Sequence, residues 1–206
     1  MKFLDRSEAG KLLAEKLSLY THQKNVIVLG LPRGGIPVAV EVAKKLHAPL
    51  DALLVKKIGM PGNDELAVGA IAYHYPPVFN TGLVSRVSSV VLQSIIEEKK
   101  QALADRNHQY RHDKPPPAVE NKIVIIVDDG IATGASLRAA LSALADQHPA
   151  KIIIAVPVAD AFVCDELSKM VDEVVCLFQP ETLIAVGQFY ENFDQVSDQE
   201  VIKILS

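Results

Sequence analysis

An α/β fold with a mostly parallel sheet and helices on both faces is predicted by three features of the 206-residue chain. Short apolar runs such as "NVIVLG" at 25–30 and "KIVIIVDD" at 122–129 have the unbroken apolar character of strands buried on both faces. Segments with apolar residues at helical spacing lie between such runs, and that alternation builds a parallel sheet with helical cover. No Gly/Ser-rich linker or low-complexity tract divides the chain, so residues 1–206 read as a single domain.

The elements follow in chain order. "DRSEAGKLLAEKL" begins with Asp5 and carries Glu8 three residues on, the pattern of a capping box, and Ala9, Leu12, Leu13 and Leu17 form one helical stripe. "NVIVLG" is the first strand. "GIPVAVEVAKKLH" sets Ile36, Val40, Ala43 and Leu46 at helical spacing, and "LDALLVKK" returns as a strand, closing a βαβ unit. "LAVGAIAY" reads as a further strand. Residues 85 to about 112 carry a long polar-faced helix that "KPPP" at 114–117 must terminate. "KIVIIVDD" (strand), "SLRAALSALADQ" (helix), "KIIIAVPVA" (strand), a helix through Leu167 and "EVVCLF" (strand) complete the alternation.

Composition narrows the function. The chain is 49% hydrophobic and 22% charged with a net charge of −4, which suits a globular protein and gives no electrostatic reason to expect nucleic acid. The N-terminus lacks the apolar core of a signal peptide, and no uninterrupted apolar run approaches the roughly 18 residues of a membrane span. A cytoplasmic protein without a membrane partner is expected. Cys164 and Cys176 lack metal-ligand spacing and are expected as reduced, buried thiols. The six histidines show no nucleophile or metal pattern.

The chemistry concentrates in "VIIVDDGIATGAS" at 124–136. Ligands of open α/β sheets bind beyond the carboxyl ends of the strands, where Asp128 and Asp129 stand. Next come glycines, Thr133 and Ser136, and a helix marked by Leu137, Ala140, Leu141 and Leu144. Free N–H groups and the dipole at a helix start attract an anion, so the stretch offers two acceptors and a phosphate cradle. A ribose 5-phosphate has matching groups at its two ends. The bland alternative is an N-cap and a solvated turn, since Asp and Gly favour turns in any case. No G-x-x-x-x-G-K-[ST] occurs, and "GLPRGG" is not G-x-G-x-x-G, which argues against P-loop hydrolysis and dinucleotide binding.

The same 13 residues resemble the phosphoribosyl pyrophosphate (PRPP) motif of type I phosphoribosyltransferases: apolar strand, two acids, then T-G-x-[ST]. "LGLPRGGIPVAVEVAKKL" is similar to the pyrophosphate loop of that family, and "LVKKIG" to its basic pair before a mobile loop, so the resemblance spans a core from about residue 25 to 158. The two ends, "FLDRSEAGKLLAEKL" and "FQPETLIAVGQFYENFDQVSDQEV", resemble a bacterial group of predicted phosphoribosyltransferases whose acceptor is unassigned.

The resemblance implies roles with physical reasons. Asp128 and Asp129 would take the ribose 2′ and 3′ hydroxyls and suit a cationic, oxocarbenium-like transition state. Gly130, Ala132, Thr133, Gly134, Ala135 and Ser136 would hold the 5′-phosphate. Arg33, Gly34 and Gly35 would hold pyrophosphate, the guanidinium as a fork and the glycines through close backbone N–H groups; an ordinary turn is the alternative for "PRGG". Lys56 and Lys57 would neutralise the departing pyrophosphate, unless they are merely solvated at a strand end. Magnesium is implied on the pyrophosphate oxygens, with no protein ligand assigned.

The implied activity is transfer of 5-phosphoribosyl from PRPP to a nitrogenous acceptor in nucleotide metabolism, with release of pyrophosphate. The alternative is a PRPP-binding regulatory protein without transfer. A homodimer follows the family's habit. Where 6-oxopurine enzymes carry an aspartate before T-G and a lysine on the next strand, this chain has Ala132 and Val156, so the acceptor is left open. A hood from about 178–206, with the N-terminus as a further contributor, would supply acceptor contacts. There Phe178, Phe189, Tyr190 and Phe193 either stack on a base or fasten the tail to the core. Arg106 and Arg111 on the long helix are expected to be exposed. Related pyrophosphate loops often hold a cis peptide before a glycine, here Arg33–Gly34; an all-trans turn bent by Pro32 is the alternative.

Overall fold

The computed structural model describes residues 2–206, the side chains of Asp64, Glu65 and Ala145 excepted. The chain forms two compact units: one runs to Leu53 and takes in Pro117–Gly134 and His148–Ser206, the other comprises Leu54–Pro116 and Ala135–Gln147.

The first unit is built on a five-stranded sheet of β1 (Val26–Gly30), β2 (Leu50–Ala52), β6 (Ile123–Val127), β7 (Lys151–Val158) and β8 (Glu173–Phe178), in the order β2-β1-β6-β7-β8. Every pairing in it is parallel. All five residues of β1 are buried, as the unbroken apolar run requires of an inner strand. Helices α1 (Arg6–Lys16) and α2 (Gly35–Leu46) belong to this unit, and Leu13, Leu17, Val38, Val42 and Leu46 from them or their ends form one core with Val26, Val28, Ile125, Val127 and Ile153 of the strands. Asp5 caps α1 by accepting from the Glu8 N–H at 2.8 Å. Glu8 reaches back to the Leu4 N–H, one residue before the position a capping box requires. Also here are α6 (Ala161–Ser168) and the C-terminal α7 (Asp198–Leu205), whose Ser197 and Glu200 do form a complete capping box.

The second unit holds an antiparallel sheet of β3 (Val55–Met60), β4 (Asn63–Ala72) and β5 (Val78–Phe79), with α3 (Thr81–Val84), α4 (Ser89–Arg111) and α5 (Ala135–Leu144). Three sequence expectations are corrected in detail. "LDALLVKK" is two strands: β2 ends at Ala52, the Leu53 N–H still donates to Gly30, and β3 restarts at Val55 as half of a hairpin with β4. Lys56 and Lys57 therefore sit near the start of an antiparallel strand and do not end a parallel one. The long helix begins at Ser89, capped by the Ser88 hydroxyl, and stops before the prolines: His112 and Asp113 turn left-handed, with φ of 50° and 63°. Arg111 is buried at 8% exposure, with its guanidinium donating to Asn107 Oδ1 at 3.1 Å, so it is no solvated charge. No helix among the described residues is long and apolar enough to cross a membrane.

Candidate active site

In the order β2-β1-β6-β7-β8 the chain leaves the centre in opposite directions from β1 and β6, and the crevice beyond their carboxyl ends is where open α/β sheets bind ligands. Leu31–Gly35 follows β1, and Asp128 and Asp129 follow β6. The loops are tied by the Leu31 N–H, which donates to the Val127 carbonyl at 2.8 Å.

The two sequence motifs meet through their glycines. A Cβ on Gly34 would lie 2.0 Å from Asp129 Oδ2, and one on Gly35 would lie 2.6 Å from the Val127 carbonyl oxygen and 2.9 Å from Asp128 Cα. A side chain at either position would occupy space the acid loop fills. Gly34 is in right-handed helical conformation (φ −61°, ψ −32°), and the Ile36 N–H donates to Arg33 at 3.2 Å, so the helical turn already encloses the Arg33–Gly34 bond. The cis peptide lies one bond earlier than expected, between Pro32 and Arg33.

Asp128 accepts the Asp129 N–H at 2.9 Å. Burial pushes its carboxyl well above the ordinary range, and the neighbouring Asp129 charge adds to the rise. Asp129 is raised too, by burial, against the pull of Arg6. Arg6 Nε donates to Asp129 Oδ2 at 2.8 Å, Arg6 also donates to the Asp194 carbonyl at 2.8 Å, and its guanidinium lies 3.8 Å from the Phe193 ring centroid. The Tyr190 hydroxyl donates to the Asp129 carbonyl at 2.6 Å, and burial raises that phenol strongly. Arg33 lies 3.8 Å from Asp198 at the start of α7, a half-exposed pair worth little to stability.

The turn after the acids continues the strand pattern, Ile131 bridging to Ala159 beside the end of β7. Gly130 is pressed on by Val186, 2.5 Å from where a Cβ would stand, while Ala132 is half-buried and Thr133 exposed. Gly134 has φ +71°, a left-handed backbone that glycine adopts without a steric cost. This segment of the first unit ends there, and α5 starts at Ala135 with Ser136 exposed in its first turn. Lys56, exposed, and Lys57, half-buried, lie on β3 of the second unit. The structure thus joins Arg33, Gly34, Gly35, Asp128 and Asp129 in the first unit.

Of the four C-terminal aromatics, Tyr190 is fully buried and the others half-buried. Tyr190 packs against Phe3 at 5.4 Å and Phe193 at 4.9 Å between centroids, and Phe178 against Phe189 at 5.4 Å. Fastening the tail is what these contacts do. Sequence reasoning missed Arg6 and Asp198. Arg6 lies 123 positions from its partner, and "DRSEAG" signals only a helix start. Cys164 on α6 and Cys176 on β8 are free thiols, Cys164 buried and Cys176 half-buried, and the Cys176 thiol donates to the Phe178 carbonyl at 3.2 Å.

Comparison with known proteins identifies the family. The family model described as "Phosphoribosyl transferase domain" matches residues 5–190. A Mycobacterium tuberculosis protein provisionally named a phosphoribosyl transferase is 41% identical over 205 residues, covering 98% of this chain and 46% of its own length. The chain thus spans about half the length of the curated relatives it matches. The crystal structure of TT1426 from Thermus thermophilus is 40% identical with a TM-score of 0.91, covering 100% of this chain and 98% of that one. A purine phosphoribosyltransferase from Pyrococcus horikoshii, at 22% identity, TM-score 0.51 and 96% coverage of each chain, shares the fold. By sequence match over most of its length, the chain belongs to the phosphoribosyl transferase domain family.

Proposed function

We propose that the protein is a PRPP-dependent phosphoribosyltransferase acting on a small nitrogenous acceptor. The observation that carries this reading is the contact between the acid pair after β6 and the "PRGG" loop after β1, at the point where the sheet order reverses. A sugar bearing a diol on one side and pyrophosphate at C1′ has functional groups suited to both loops.

In the proposed reaction the acceptor nitrogen forms a bond to C1′ while the C1′–O bond to pyrophosphate breaks, pyrophosphate leaves with the electron pair, and the acceptor's N–H proton passes to solvent. Positive charge develops on the sugar in the transition state. Asp128 and Asp129 would accept from the ribose hydroxyls and supply negative charge beside that centre. Arg33 would exchange its weak pairing with Asp198 for pyrophosphate oxygens. The proposed roles of Gly130 and Ala132–Ser136 at the 5′-phosphate, and of Lys56 and Lys57 at the leaving group, rest on the family resemblance. The tail from about 178–206, with the N-terminal residues bound to it, is proposed as the hood that meets the acceptor.

Magnesium enters this reading with the substrate. Among the described residues no group of three or more His, Cys, Asp or Glu side chains is disposed to hold a metal ion, and Asp129 is already paired with Arg6. The side chains do not fit a resident Mg²⁺, whereas pyrophosphate oxygens are hard ligands that carry one. No step of the mechanism is drawn through the ion.

The test is calorimetry and thermal melting with PRPP and Mg²⁺, followed by a pyrophosphate-release assay across a panel of bases. Binding with a higher Tm is expected, because a ligand held only by the folded state stabilises it. No heat and no shift at millimolar PRPP rejects the reading. Binding without pyrophosphate release with any base would instead favour the regulatory alternative.

A further inference from the structure

We propose that Arg6 is the positioning residue of the acid pair: held by Asp194 and Phe193, it fixes the Asp129 carboxylate against Gly34 and maintains it as a charged acceptor. That the acceptor serves a ribose hydroxyl rests on the function proposed above; the clamp itself stands on geometry.

Three contacts define the guanidinium. Its Nε donates to Asp129 Oδ2 at 2.8 Å, NH1 donates to the Asp194 carbonyl at 2.8 Å, and the plane lies 3.8 Å from the centroid of Phe193. Both charged side chains are largely enclosed, at 12% and 15% exposure, where an ion pair is screened far less than at the surface. Oδ2 sits where a Gly34 Cβ would be, so the carboxylate is bounded by that backbone on one side and by Arg6 on another. The Tyr190 hydroxyl anchors the same residue through its main-chain oxygen.

The need for a cation follows from the pair's setting. Two adjacent carboxyls in an enclosed crevice favour sharing a proton, because burial and mutual repulsion both oppose double ionisation. The groups around Asp129 are Asp128 in its own loop, Arg6 from α1 and Tyr190 from the tail, and Glu200 on α7 lies within the field of Arg6. Arg6 is the cation that acts on Asp129. Its hydrogen bond to Oδ2 opposes protonation there more than at Asp128, so Asp128 is the first of the two to take a proton as pH falls. Arg6 is not placed to stabilise a cationic sugar, so its contribution is orientation and ionisation.

The test is a side-chain carboxyl ¹³C NMR titration of the ligand-free protein, with the resonances assigned through Asp128→Asn and Asp129→Asn. In Arg6→Gln, which keeps a donor and removes the charge, Asp129 should titrate about one pH unit higher than in the wild type or more, and Arg6→Lys should fall between. A merely structural Arg6 would leave that titration unmoved, so superposable curves in a folded Arg6→Gln overturn the proposal. If Arg6→Gln does not fold, Phe193→Leu carries the test, since it removes the stacking and leaves both charges: an upward shift supports the clamp and an unchanged curve overturns it. Because the measurement uses no PRPP, a shifted titration in a protein that binds no PRPP upholds the clamp and rejects only the ribose reading.

Discussion

Asp128 shows how a buried carboxylate can oppose stability. Burial and the Asp129 charge raise its folded-state value above that of the unfolded chain, so the native state holds a proton more tightly than the unfolded state. Stability linked to this group is fully present below the ordinary carboxylate range and is lost as pH rises through the raised folded value. Asp128→Asn removes that titration while keeping an Oδ1 acceptor for the Asp129 N–H. The stability of the variant relative to wild type should therefore grow as pH rises above the ordinary carboxylate range, as read by urea denaturation at several pH values. A constant difference would show that Asp128 titrates alike in both states. Under the proposed mechanism the same substitution lowers turnover, a gain in stability at the expense of function. At this scale the acids and Arg33 were legible in the sequence because strand, turn and glycine signals adjoin them. Arg6 and Asp198 were not, because each acts on a residue far away in the chain and carries only a helix-start signal locally.

The elements were legible where apolar periodicity is local, as in β1, β6, β7 and the helices α2 and α5. "LDALLVKK" misled because Leu53 and Leu54, both buried, continue the apolar run across a break between two sheets. The end of α4 falls where the pattern puts it, at Arg111, but a left-handed cap at His112 ends the helix before the prolines can. Helix contact depends on features that periodicity does not report. Gly10 lies on the face α1 turns to α2, and a Cβ there would stand 2.7 Å from the Val38 carbonyl oxygen and 2.9 Å from Glu41 Cβ. Alanine would improve helix propensity by about 1 kcal/mol. Forcing two packed helices apart costs about 1–3 kcal/mol, and the nearest atom here is backbone, which cannot swing aside. The clash should win: Gly10→Ala is expected to lower the urea midpoint, and an unchanged or higher midpoint would mean that the helices separate freely.

The longest-range order in the first unit joins its two chain ends. The Phe3 N–H donates to Phe189 at 2.8 Å, the Glu191 N–H returns to Phe3 at 2.8 Å, and the Asn192 N–H reaches Leu4 at 2.9 Å. Phe3 itself is 1% exposed and packs with Ala9, Val158, Leu183 and Tyr190. No sequence period announces such a pairing, which is why the aromatic tail left both base-stacking and fastening open as readings. Its consequence is that Arg6, three residues after Phe3, and Tyr190, Phe193 and Asp194 in the tail reach the acid pair as one assembly. Phe3→Ala should cost about 3 kcal/mol, as for other buried aromatic truncations. Segments can open locally without global unfolding, so the loss should be local. Native-state hydrogen exchange should therefore quicken at the amides of Phe3, Glu191 and Asn192 while β6 keeps its wild-type protection. Equal acceleration in both places would show that the ends unfold only together with the sheet, and the assembly would then be part of the main cooperative core and not a detachable layer upon it.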